Sequence, residues 1–129
     1  MSAAGKDPVT VLVVDDQQPF RLAAAQMLEL EDGFRLVGEA ATGEEGVAMA
    51  AALQPLLVLM DVRLPGIDGI EATRRILAAR PRTAVVLVST HSAADLPASL
   101  RTCGAIAFLR KDEVDPESLE QALEAAPAR

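Results

Sequence analysis

The chain has no tryptophan, no tyrosine, one histidine and one cysteine. The single cysteine, Cys103, excludes an internal disulfide, and a reducing cytoplasm is the simplest compartment. Without Trp or Tyr there is no ring of the kind that covers a bound flavin. No apolar run approaches the ~18 residues of a membrane span. Residues 1–8 lack the apolar stretch of a secretory leader. No Gly-rich P-loop is present to cradle a nucleotide, and there is no repeat or low-complexity tract. Positive charge is also scarce: 12 Lys and Arg stand against 19 Asp and Glu, a net charge of −7. An acidic balance of this kind argues against the chain gripping nucleic-acid phosphates by itself.

What is present is a regular alternation. The length of 129 residues, with 50% hydrophobic and 24% charged, suits one globular domain. We expect a loose lead-in over 1–8, a domain over 9–126 and a frayed end over 127–129. Strands are predicted over 9–14, 34–37, 56–60, 84–88 and 105–109. The second, interrupted by Arg35, reads as an edge, while the first, third and fourth are continuous apolar runs of central character. The first helix carries Pro19 early and turns Phe20, Ala23, Ala24, Met27 and Leu28 inward. The second opens on a Thr42–Glu45 capping box and ends by Pro55, and the third is capped by Asp68 and stops before Pro81. A fourth is expected from an N-cap at Ser92 or Asp95 to Cys103–Gly104, with Pro97 near its start. The fifth opens on Asp115-Pro116-Glu117 and turns Leu119, Ala122 and Leu123 inward. Five strand–helix units with right-handed crossovers give a parallel sheet covered on both faces.

Polar residues stand where four of the strands end. Val14 runs into Asp15-Asp16, Met60 into Asp61, Val88 into Ser89, and Leu109 through Arg110 into Lys111. Open α/β sheets bind ligands beyond the carboxyl ends of their strands. The three carboxylates, the hydroxyl and the amine therefore converge. Two carboxylates ~4 Å apart repel by ~4 kcal/mol at an effective dielectric of 20, so such a cluster holds either a proton or a cation. All-oxygen ligands suit Mg²⁺, and zinc is disfavoured because nitrogen and sulfur ligands are lacking. A carboxylate can attack phosphorus, and an amine with a hydroxyl can meet the phosphoryl oxygens.

At these residues the chain resembles the receiver (CheY-like) domain of bacterial two-component response regulators. The matching marks are Val13-Val14-Asp15-Asp16, the stretch from Met60 to Gly69, Val88-Ser89 and Phe108-Leu109-Arg110-Lys111. The resemblance implies a flavodoxin-like (βα)5 fold with strand order 2-1-3-4-5. It implies Asp61 as phosphoacceptor. Asp16, Asp61 and the backbone carbonyl of Arg63 would be Mg²⁺ ligands, with Asp15 acting through water. Ser89 and Lys111 would contact the phosphoryl group, and Ser89 and Phe108 would act as the switch pair. A face built from the fourth helix, fifth strand and fifth helix would then change. The implied partner is a sensor histidine kinase, with homodimerisation on phosphorylation. Lys111-Asp112, Val37-Gly38-Glu39-Ala40 and Ser89-Thr90-His91 resemble the NarL/FixJ subgroup, whose receivers usually precede a LuxR-type DNA-binding domain. No such domain lies within these residues, so the chain is expected to be either free-standing or excised, with transcription as the output.

Plainer roles are weighed beside these. Asp68 reads as a cap rather than a ligand, His91 as a loop residue beside the site, Cys103 as helix-end packing and Arg63 as exposed. The alternative function is a receiver-like interaction module that works without phosphorylation. A phosphatase of the haloacid-dehalogenase type would need a second Asp where Arg63 stands.

Overall fold

The computed structural model describes residues 7–126 apart from Ala93 and Asp95. Residues 1–6, 127–129 and the Asp95 cap position therefore lie outside the described residues. Five strands form one sheet: β1 (Val9–Val14), β2 (Phe34–Ala40), β3 (Leu57–Asp61), β4 (Ala84–Ser89) and β5 (Ala107–Arg110). All pairings are parallel and the order is β2-β1-β3-β4-β5. The expected order and the expected edge position of β2 are both found.

Strand alternation divides the core into two layers. Leu12, Val14, Val58, Met60, Val85 and Leu87 face helices α2 (Gly43–Leu53) and α3 (Gly69–Ala79). Val11, Val13, Leu57, Leu59, Val86 and Val88 face α1 (Gln18–Glu29) and α4 (Pro116–Ala125). The apolar residues of β1, β3 and β4 are almost all fully buried, as strands covered on both faces should be.

The helix boundaries follow local chemistry. Thr42 accepts from the Glu45 amide and Asp68 from the Glu71 amide, each satisfying a donor that the helix leaves free. Asp115 and Ser118 cap reciprocally, with Pro116 in the first turn. In α1, Ala24 and Leu28 are buried and Phe20 and Met27 half-buried, but Ala23 is exposed.

Several boundaries move. β2 continues three residues beyond Val37, and the register slips there: Val11 pairs with Leu36 but Leu12 with Gly38, leaving Val37 as a bulge. β3 starts one residue late, with Leu56 57% exposed, and Asp61 belongs to the strand itself. β5 lies two residues later than predicted at its start and takes in Arg110.

The fourth predicted helix is the substantive correction. Among the described residues between β4 and β5 there is no α-helix, and Ala98–Arg101 form a 3-10 turn. Pro97 stands before it with ψ 152°, outside the helical region. Proline has no N–H and disfavours α geometry in the residue before it, so little helix can form upstream. Downstream, Gly104 turns the chain at φ +102°, which leaves too few residues for a stable α-helix.

Candidate functional site

The carboxyl ends of β1 and β3 lie side by side because Val14 pairs with Met60. Asp15, Asp16 and Asp61 consequently form one group, with a ligand oxygen from each within 4.8 Å of the others. Their surroundings differ. Asp15 is fully buried, Asp61 is 5% exposed and Asp16 faces solvent.

Each buried carboxylate is fixed by the backbone that follows it. Asp15 Oδ1 accepts from the Gln17 amide at 2.8 Å, and Asp61 Oδ1 from the Arg63 amide at 3.2 Å. Both are bonds to a residue two positions on, the turn that short acidic side chains favour. The remaining oxygens share one cation. Lys111 Nζ lies 2.6 Å from Asp15 Oδ2 and 3.4 Å from Asp61 Oδ2. The contact with Asp15 is an ion pair without the alignment of a hydrogen bond, whereas Lys111 donates a hydrogen bond to Asp61.

The electrostatic balance at Asp61 is unfavourable to its charge. Burial and the neighbouring Asp15 carboxylate push its pKa up from 3.8 to about 6, while Lys111 and the Arg63 amide pull the other way. One lysine does not neutralise three acids. The oxygen-only donor set, with one exposed carboxylate, fits a hard divalent cation.

Ser89 is buried and follows Val88, the register partner of Asp61. Its Oγ accepts from the His91 amide at 3.0 Å. His91 itself is exposed, with its ring Nδ1 3.2 Å from Thr90 Oγ1, and it lies outside the acidic group. Phe108 pairs with Leu87 in register and packs into the α2/α3-side layer. Ser89, two residues beyond Leu87, points to that same side. Phe108 also borders a cavity of about 200 Å³ with Leu100, Arg101 and Ala105. Asp68 is a cap, as expected, and Arg63 is exposed. Cys103 is buried against the Leu100 carbonyl.

The loop after Asp61 is held by close approach. A side chain on Gly69 would fall on the Asp61 carbonyl oxygen, and the Gly69 amide donates to Val62 O at 2.9 Å. Gly66 takes φ +75°, which glycine allows without strain.

Two residues of α1 were not anticipated. Arg21 donates from Nη1 to the Asp15 carbonyl at 2.7 Å and pairs through Nε with Glu39 at 3.3 Å, joining the acidic turn to the edge strand. Phe20 places its ring 4.9 Å from Lys111 Nζ, over the ring face. Helical periodicity marked Phe20 as core, and no sequence signal joins it to a lysine some ninety positions away.

A match to the family described as response regulator receiver domain spans residues 11–124. Response regulator GacA of Pseudomonas protegens is 43% identical over 103 residues, covering 80% of this chain and 48% of that protein. The nitrate/nitrite response regulator NarL of Escherichia coli K12 is 34% identical over 127 residues, covering 97% of this chain and 57% of that one. The chain thus spans about half the length of these relatives. Among solved structures, the signal receiver domain of a response regulator designated NarL from Mycobacterium tuberculosis superposes with a TM-score of 0.84 at 31% identity, covering 96% of this chain and all of that one. With the strand order and the acidic end of the sheet, these likenesses have one meaning: the chain belongs to the receiver domains of two-component response regulators, alongside relatives of the NarL/FixJ type.

Proposed function

We propose that the protein is a phosphorylation-controlled switch in which Asp61 takes a phosphoryl group from the phosphohistidine of a sensor histidine kinase. The observation that carries this reading is the shared lysine: Lys111 Nζ sits between the buried Asp15 and Asp61 carboxylates. In the transfer, an Asp61 oxygen bonds to phosphorus as the P–N bond breaks, and the imidazole leaves with its electron pair. Lys111 and Ser89 then face the phosphoryl oxygens, where charge is greatest.

Asp16, Asp61 and the Arg63 backbone carbonyl would hold Mg²⁺, with Asp15 acting through water. The exposed Asp16 carboxylate supports direct ligation, and the engaged oxygens of Asp15 support an indirect role. When bound, the ion supplies positive charge against the carboxylates and the phosphoryl oxygens. Ser89 and Phe108, on one side of adjacent strands, would relay the change to the surface around the 3-10 turn, β5 and α4. Control of transcription would follow from a partner or a further segment, since a net charge of −7 disfavours direct binding to DNA phosphates. No helix among the described residues is long and apolar enough to cross a membrane. A cytoplasmic site and homodimerisation on phosphorylation belong to the same proposal.

Incubation with acetyl phosphate and Mg²⁺ followed by intact-mass spectrometry tests it. Wild type should gain one phosphoryl group and Asp61→Asn none. No adduct on wild type, or equal adducts on both, overturns the reading in favour of an interaction module that works without phosphorylation.

A further inference from the structure

Lys111 is held by two carboxylates of unequal proximity, 2.6 Å to Asp15 and 3.4 Å to Asp61. If it is to serve a phosphoryl group on Asp61, its ammonium must shift from the nearer partner to the farther one. A third contact bears on that shift. The Phe20 ring lies 4.9 Å from Nζ, within the ~6 Å over which a ring face attracts a cation. Pro19, in the first turn of α1, sets the chain just before the ring, and Phe20 packs against the α1/α4-side core and lines one cavity with Val114.

We infer that Phe20 is a positioning residue for Lys111: its ring face steadies the ammonium beside the two carboxylates while leaving it free to move between them. The inference rests on the phosphoacceptor reading above. Its physical basis is the angular softness of the contact. A hydrogen-bond acceptor fixes a donor along a lone pair, whereas a ring quadrupole attracts a cation across its whole face. The ring also covers one side of the ammonium: the Lys111 side chain is only 12% exposed, despite following an edge strand. Excluding water there strengthens both carboxylate contacts. The cavity of about 290 Å³ that Phe20 shares with Met27, Lys111 and Val114 leaves room for the stem to swing.

The test compares Phe20→Leu, which keeps apolar bulk without a π face, with Phe20→Tyr and Phe20→Trp, which keep the face. The metal-free, unphosphorylated protein comes first. Ring currents should shift the Lys111 ε-methylene resonances upfield in wild type, Tyr and Trp, and Leu should abolish the shift. Absence of any shift in wild type overturns the inference, whatever the fate of phosphorylation. The second arm is the initial rate of Asp61 phosphorylation by acetyl phosphate with Mg²⁺. A partly exposed cation–π contact corresponds to about a three- to fivefold slower rate in Leu, with Tyr and Trp near wild type. In a Lys111→Ala background, Phe20→Leu should slow the rate no further. An unchanged rate in Leu, or losses in all three variants that follow thermal stability, reduces Phe20 to core packing. If wild type itself takes no phosphoryl group, the phosphoacceptor reading fails, and the positioning role that rests on it falls with it.

Discussion

The two ends of the chain's chemistry are built differently. At the β1/β3 side, each buried acidic oxygen faces a hydrogen-bond or ion-pair partner: the Gln17 and Arg63 amides and the Lys111 ammonium. Arg21 ties the turn to Glu39, and Gly69 lets α3 begin against the Asp61 carbonyl. Between β4 and β5 the described residues include the 3-10 turn Ala98–Arg101, with Leu100 and Cys103 buried and a cavity beside Phe108. A covalent event needs a preset geometry, while a switch needs an element whose stability is low enough to be shifted by a few kcal/mol. On the proposed reading, the covalent chemistry falls on the closely bonded β1/β3 side and the response on the segment around the 3-10 turn.

The largest expected effect strikes the rigid side. Gly69→Ala would drive a methyl group into the Asp61 carbonyl oxygen, which belongs to a central strand that cannot retreat. A loss of about 3 kcal/mol by urea unfolding is expected, together with loss of phosphorylation. Wild-type stability in that variant would mean that the start of α3 yields, and the contrast between the two regions would weaken.

Next comes the charge stored at Asp61. Its pKa lies at about 6 in the folded chain against 3.8 ordinarily, so the folded state binds the extra proton between those values. Metal-free stability should therefore fall as pH rises from about 4 through about 6, then level off. Asp61→Asn removes that loss and should be more stable than wild type above pH 7 by about 1–3 kcal/mol, with the gap closing below pH 4. Mg²⁺ should narrow the gap at neutral pH by stabilising wild type alone. Urea titrations at pH 4 and pH 7.5, with and without Mg²⁺, measure this. A gap that widens on acidification would contradict it.

The smallest effect probes the soft side. Pro97→Ala restores an N–H and lifts the restriction on the preceding residue. Global stability should change by no more than about 1 kcal/mol. Amide exchange around Leu100 should slow while β1 and β3 stay as they were. A drop in β1 and β3 protection would show that the two regions are not separable.

Much of this was readable in advance, for identifiable reasons. β1, β3 and β4 are buried on both faces, so their sequences are unbroken apolar runs whatever their neighbours. The acids and Ser89 were legible because they follow such runs, and Lys111 because only Arg110 separates it from the half-buried apolar run of β5. The fourth helix was misread because a Ser or Asp ahead of a proline resembles a helix start. The short distance from Pro97 to Gly104 leaves room for a 3-10 turn and not for a stable α-helix. The bulge at Val37 left no mark beyond Gly38, whose added side chain would meet Met49 and Leu53.

The order of strand and helix, the helix caps and the candidate acids are properties of neighbouring residues, and the chain carries them in its one-dimensional pattern. Which residues meet across long separations was decided only by folding. The parallel sheet brings residue 111 back beside residues 15 and 61, and the first turn of α1 lands against the lysine stem. Phe20 and Arg21 acquire their contacts with the site from that packing, since side chains distant in sequence have no interaction energy until the sheet closes the distance between them.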